Sequence, residues 1–391
     1  MTTFIEVDYQ FPAGIDARRQ AQAIAIGQTA GSWDARFQHR EAQLRGHLGE
    51  VIAIAELAAG RHQATVRFPA ANVDGRLGSL LTMIFGKYSL AGPAKVMAIR
   101  LPERFGQAPR FGLGGIRERL GVHEQRPLVM AIFKPALGLT AADHAAILAE
   151  VAVAGLDIIK DDEILPDLPM AATLARWEAC APVIEARRDQ TGRDLLYAVN
   201  LSGDAQQVQM LALQLVAAGA NALLLNVLAY GFPVLEALAA DPDIDVPIFT
   251  HPALAGAWCG APDYGFAYGA LLGTLMACGG ADAVLYPAHY GSLPFAAADE
   301  WAIVAALRAR GVAPVPSAGV HPGMVGRILD DYGTEVILNA GTGIMDHPQG
   351  AASGVLAFHE AIERWQDAAP RTLEDLPAGP LRAAVEKWGQ G

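Results

Sequence analysis

Cysteine is nearly absent from the chain. Cys180, Cys259 and Cys278 are far apart and form no CxxC pair. That excludes a disulfide framework and a cysteine-based zinc site, and predicts a reducing compartment. Basic residues are outnumbered as well: 29 Lys and Arg against 41 Asp and Glu give a net charge of −12. Nucleic acid and anionic membranes, which select a basic face, are therefore not expected partners. No uncharged apolar run reaches membrane-spanning length, and MTTFIEVDYQ has neither the basic nor the apolar region of a signal peptide. The expectation is a soluble, cytoplasmic protein. Lysine is the scarcest charge: Lys87, Lys95, Lys134, Lys160 and Lys387 are the five, and arginine supplies the rest. Lysine can lose its proton and act as base or nucleophile, which arginine cannot.

Hydrophobic patterning is plentiful. The chain is 52% hydrophobic, enough for a large core, and its 391 residues favour two domains over one. From about 125 to 345, Val/Ile/Leu-rich runs alternate with Ala-rich amphipathic stretches. The runs are PLVMAIFK, LDIIKDDE, LLYAVNLS, ALLLNVLAYG, VPIFTHPA, AVLYPAHYG, APVPSAGV and EVILNAGTG. Eight strand–helix units in about 230 residues predict a (β/α)₈ barrel. An open doubly wound sheet is the alternative, but the first turn, FKPALGLT, has no GxGxxG. Residues 1–122 read as a small α+β, ferredoxin-like domain, with 108–122 as connector. Residues 123–391 read as the barrel domain with two C-terminal helices.

A barrel carries its chemistry at the C-terminal ends of its strands. Here those ends hold Lys134, Lys160, Asp162, Glu163, Asn200, Asn226, His251, His289, Ser317, His321, Asn339, Gly341 and Thr342. Any one of them could simply cap a helix. The set together predicts a site. In KDDE, 160–163, alternation sends Lys160 and Asp162 to one face, and a bend at the strand end can bring Glu163 back to them. Two close carboxylates suit Mg²⁺. Lys160 is then either their counter-ion or, after reaction with CO₂, a carbamate and third oxygen ligand. The small residues of PSAGVHPG and NAGTGIMDHPQG lie after strands seven and eight, where barrels bind phosphate.

These motifs resemble the RuBisCO superfamily almost from end to end. GLDIIKDDE resembles its carbamylated-lysine Mg²⁺ motif, IFKPALGL its first-strand lysine motif (Lys134), PIFTHPA its strand-five histidine (His251), and PSAG its serine and phosphate-loop glycine (Ser317, Gly319). AGSW at 30–33 resembles the segment that reaches a phosphate in the partner subunit's site, through Ser32 and Trp33. Three departures from a carboxylase point to the RuBisCO-like branch: Ala136 replaces a second strand-one lysine, no lysine occurs between Lys160 and Lys387, and Gly27 stands where a glutamate is expected.

Within that branch, IFGKYSLAG, LLNVLAYG, HPALAGAW and VPSAGVHPGMV are similar to the enolases acting on 2,3-diketo-5-methylthiopentyl-1-phosphate in methionine salvage. The resemblance implies a Mg²⁺-dependent enolisation without CO₂ fixation, in a homodimer with shared sites. It implies Lys87 as general base and Lys134 and His251 on substrate oxygens. Lys160, Asp162 and Glu163 would hold the metal, and Ser32, Trp33, Ser317, Gly319, Gly341 and Thr342 would surround the substrate and its phosphate. Isomerisation of 5-methylthioribulose-1-phosphate, decarboxylation or hydrolysis of a branched sugar-acid phosphate, and a non-catalytic role remain alternatives. Thr342, Met345, Asp346 and His289 depart from the enolase pattern.

Overall fold

The computed structural model describes residues 3–31 and 35–390. Strands β1 (Phe4–Phe11), β2 (Glu50–Glu56), β3 (His62–Pro69) and β4 (Ala94–Arg100) form an antiparallel sheet. Period-two alternation along β1 buries Ile5, Val7, Tyr9 and Phe11. Helix Ala17–Gly27 starts where the Asp16 side chain accepts from Arg19 N at 3.0 Å. It buries Ala17, Ala21, Ile24 and Ala25, one face of a 3.6-residue period.

Eight parallel strands follow. They are β5 (Leu128–Ile132), β6 (Ile158–Lys160), β7 (Leu196–Asn200), β8 (Ala222–Leu225), β9 (Ile248–Thr250), β11 (Ala283–Pro287), β12 (Ala313–Ser317) and β13 (Ile337–Ala340). All eight match the apolar runs of the sequence. β12 and β13 lie side by side, and Asn339 Nδ2 on β13 donates to Ser317 Oγ on β12 at 2.9 Å across that seam. The short strand β10 (Tyr264–Phe266) leaves the barrel and pairs in parallel with β4. The first sheet thus takes its fifth strand from beyond the fifth barrel strand. Lys95 fastens this excursion: Nζ donates to the carbonyls of Cys259 at 2.8 Å and Ala261 at 2.7 Å.

The barrel interior is filled by alternate residues, among them Leu128, Met130, Ile158, Leu196, Leu224 and Val315. Segment 108–122 does more than connect. Its helix, Gly112–Leu120, sends Leu113, Ile116 and Leu120 into that interior and closes the floor. Buried Asp282 holds it there, accepting from the backbone N–H of Phe111 (2.6 Å), Gly112 (3.0 Å) and Ile248 (2.9 Å).

The outward face of the barrel sheet carries a fully buried ion pair. Asp161 lies where β6 ends, fully buried against helix Thr173–Thr191. Its carboxylate accepts from Arg176 Nη2 at 2.9 Å, the Tyr197 hydroxyl at 2.6 Å and Asn200 N at 2.9 Å. Arg176 is equally buried. Removing one partner leaves an uncompensated buried charge, which typically costs about 3–5 kcal/mol. Arg176→Met is therefore expected to lower unfolding stability by about that amount in urea titration. A loss below about 1 kcal/mol, the range of exposed pairs, would contradict this account.

Candidate active site

Alternation within the barrel strands sets the face of each mouth residue. Met130, Ile158, Ala198, Leu224, Phe249, Val315 and Ile337 point inward. Two residues further along the same strands stand Ile132, Lys160, Asn200, Asn226, His251, Ser317 and Asn339, each at a C-terminal end. The polar mouth is thus the last inward layer of an otherwise apolar barrel.

The acidic motif divides as it leaves β6. Asp161 goes outward to Arg176, and the next two residues turn to the mouth. Asp162 Oδ2 accepts from Lys134 Nζ at 2.5 Å. Glu163 Oε2 lies 3.4 Å from Lys160 Nζ and 3.3 Å from His251 Nε2. The Glu163 carbonyl accepts from Asn226 Nδ2 at 3.1 Å and Asn200 Nδ2 at 3.4 Å, which fixes the turn. Lys134, Lys160, Asp162, Glu163 and His251 therefore form one charged cluster built from three strands.

Burial tunes two members of this cluster. The Lys160 side chain is fully enclosed, and desolvation lowers its pKa against the pull of Glu163 and Asp162. Burial, and then the charge of Lys160, hold His251 well below the usual histidine value. Its Nδ1 accepts from Ala253 N at 3.2 Å, so the neutral ring carries its proton on Nε2, facing Glu163.

Among the described residues, no three His, Cys, Asp and Glu side chains are arranged to hold a metal ion. Two carboxylates and a buried amine are what the mouth provides. Asp162 and Glu163 are the residues that would hold a divalent cation, and the depressed basicity of Lys160 beside Glu163 suits conversion of its amine to a further oxygen ligand. Asn226 Oδ1 and Asn339 Oδ1 are buried at the mouth with no hydrogen-bond partner.

The loops after β12 and β13 approach each other backbone to backbone. Ala318 (φ 69°) and Gly319 (φ 91°) are both left-handed. A Cβ on Gly319 would sit 2.7 Å from Ser292 N, and one on Gly343 2.4 Å from the Val320 carbonyl. Gly341 lies against Lys134, where a Cβ would meet Cε at 3.4 Å. Ser317 Oγ donates to the Val315 carbonyl at 3.0 Å and so accepts from Asn339. Thr342 is exposed at the start of the short helix Thr342–Met345. Gly341 thus borders the charged cluster at Lys134, with Ser317, Gly319 and Thr342 at the ends of strands seven and eight.

Lys87 stands apart. It is exposed, 5.9 Å from the Tyr88 ring centroid, at a cavity of about 930 Å³ lined by Gly27, Gln28, Thr29, His47 and Asn72. No barrel-mouth residue borders that cavity. Ser32 and Trp33 lie outside the described residues. The sequence reading did not anticipate the supports. Glu300 accepts from both N (2.5 Å) and Nδ1 (2.8 Å) of His289 and from the Tyr332 hydroxyl, so His289 is tied to the barrel wall. Trp388 stacks on His321, with ring centroids 6.1 Å apart, and Lys387 donates to the Asp346 carbonyl. The C-terminal helix Pro380–Trp388 thereby backs the strand-seven and strand-eight loops. Only the distance in sequence hid these contacts.

Residues 112–286 match the family model of the ribulose bisphosphate carboxylase large chain, catalytic domain. A 2,3-diketo-5-methylthiopentyl-1-phosphate enolase of Microcystis aeruginosa is 60% identical, with 98% of this chain and all of that protein covered. One of Exiguobacterium sibiricum is 40% identical over 99% of each chain. The crystal structure of a rubisco-like protein (MtnW) from Alicyclobacillus acidocaldarius superposes with a TM-score of 0.91 at 38% identity, covering 99% of this chain and all of that one. A carboxylase from Pyrococcus horikoshii, 23% identical with a TM-score of 0.89, shares the fold. With the fold, the mouth and these relatives in agreement, the chain belongs to the family of the 2,3-diketo-5-methylthiopentyl-1-phosphate enolases within the RuBisCO superfamily.

Proposed function

We propose that this chain enolises 2,3-diketo-5-methylthiopentyl-1-phosphate, a keto–enol tautomerisation in methionine salvage, and fixes no CO₂. The observation that carries the reading is the mouth cluster: two carboxylates, a buried amine and a neutral histidine donor beside the glycine-rich loops. The carboxylase departures support it. A Cβ on Gly27 would lie 2.4 Å from the Tyr88 hydroxyl oxygen, so a glutamate there would displace Tyr88. Lys387, the next lysine after Lys160, is engaged at Asp346.

Lys160 as the free amine adds to CO₂, a C–N bond forms and a proton leaves. The resulting carbamate, with Asp162 and Glu163, would hold Mg²⁺. Bound there, the ion would supply the Lewis acidity that favours negative charge on a carbonyl oxygen. Lys134, released from Asp162, binds a substrate oxygen, and His251 offers its Nε2–H to another. Gly319, Gly341 and Thr342 take the phosphate, with Ser317 on a neighbouring hydroxyl. Lys87 as free amine removes the proton beside the carbonyl.

Lys87 reaches a mouth by dimerisation in this proposal. Leu137, Ile164, Met170, Leu254 and Leu293, on loops after the first, second, fifth and sixth barrel strands, are 49–58% exposed. Exposed apolar side chains on four mouth loops are compatible with cover by a partner surface. A second copy would bring Lys87 to that rim.

Lys87→Ala is expected to slow exchange of the substrate C1 proton in D₂O by at least about 10²-fold while phosphate affinity stays. Proton NMR decides this, and unchanged exchange removes Lys87 from the mechanism. Lys160→Ala is expected to lose activation by bicarbonate; a variant as active and as bicarbonate-responsive as the parent would sink the carbamate. Mixing the two inactive chains provides the test of sharing. Subunit exchange should restore roughly a quarter of parental activity, because each mixed dimer keeps one intact site. No recovery in mixed dimers means that each chain acts alone.

A further inference from the structure

At the floor of the barrel, opposite the mouth, lies a cavity of about 870 Å³. Its walls come from the segments that precede β5, β6 and β7, from the second half of helix Thr173–Thr191 and from helix Ala351–Gln366. The enolase reading leaves it unused. Arg187 lines it and is 7% exposed. Its Nη1 donates to the Leu156 carbonyl. The other guanidinium nitrogens have no partner among the described residues, nor are they among the sealed, unpartnered polar atoms, so they face the cavity.

The two carboxylates whose charge acts on Arg187, Asp157 and Asp194, are shared with other cations, Asp194 with Arg188 at 3.9 Å. Asp157 takes a two-pronged bond from Arg126 at 2.6 and 2.7 Å and accepts from Val129 N at 2.9 Å. Glu124 pairs with Arg193 at the rim. Glu363, also at the rim, is exposed and opposes a highly charged ligand. Burial, with Arg126 and Arg193 nearby, lowers the pKa of Arg187 against the pull of Asp157 and Asp194. A buried cation with no direct carboxylate bond is costly unless something in the cavity compensates it. Much of the remaining lining is apolar: Ala149, Ala152, Val153 and Ile362, with Val183 one turn before Arg187 on its own helix and Val153 82% exposed.

We propose that this cavity binds an amphiphilic anion, a phosphate or carboxylate head on Arg187 with a short apolar tail along the Val153–Val183 wall. The site lies one short strand away from the mouth. Asp157 immediately precedes β6, and the other end of that three-residue strand is Lys160.

Calorimetry with butyl phosphate, pentanoate and inorganic phosphate, combined with hydrogen–deuterium exchange of the full chain, tests the site. Butyl phosphate or pentanoate should bind and protect amides in 152–156 and 182–193. Arg187→Gln should weaken binding by about tenfold or more, the scale of one charge-assisted hydrogen bond. Because Arg187 is buried, Val153→Glu is the second variant. It places a negative charge at an exposed wall position and should weaken binding comparably. Three results would each overturn the proposal: protection confined to 317–343, affinity unchanged in both variants, or inorganic phosphate binding as tightly as the alkyl anions.

Discussion

The mouth depends on the burial of Asp161. A fully enclosed carboxylate must have its charge and lone pairs met, and Arg176, the Tyr197 hydroxyl and the Asn200 amide do so together. That satisfaction pins the chain where β6 ends. With Asp161 held outward, Asp162 must face the mouth, and the turn after it returns Glu163 to the same side. Lys134 on the neighbouring strand and His251 three strands away meet those carboxylates only because this turn is fixed.

Charge compensation then organises the site. Lys134 neutralises Asp162, and Lys160 stands beside Glu163 in an enclosed place where an isolated ion would be costly. Desolvation disfavours the ammonium of Lys160 and the imidazolium of His251, and so keeps both nearer their neutral forms. A guanidinium at position 160 would keep its charge and could not be converted to an oxygen ligand. On the far side of the mouth, space rather than charge decides. Gly319 and Gly343 are glycines because backbone atoms of neighbouring loops occupy the positions of their Cβ atoms.

Lysine scarcity pointed partly to chemistry and partly to architecture. Lys134 and Lys160 stand in the mouth. Lys95 and Lys387 instead bond to backbone carbonyls, Lys95 stitching the segment after His251 to β4 through two of them and Lys387 tying the last helix to the strand-eight loop through one. An ammonium on a flexible stem serves several carbonyls from one point, so a rare lysine can be a clasp as readily as a base.

Much of the fold was legible in the sequence, because period-two and 3.6-residue patterns are local consequences of backbone geometry. All eight barrel strands, the first helix and the inward set at the mouth follow from them, and so does the separation of Asp161 from its neighbours. What the sequence could not show was which distant groups meet. The floor helix held by Asp282, β10 crossing to the first sheet, the Glu300 anchor of His289 and the Trp388 stack on His321 join residues remote along the chain. The distance of Lys87 from the mouth of its own chain is of the same kind. Local pattern determined the strands and the chemistry at their ends. Which of those groups are paired, buried or left facing a cavity was decided by tertiary packing alone, since solvation and Coulombic interaction depend on distance in space and not on distance in sequence.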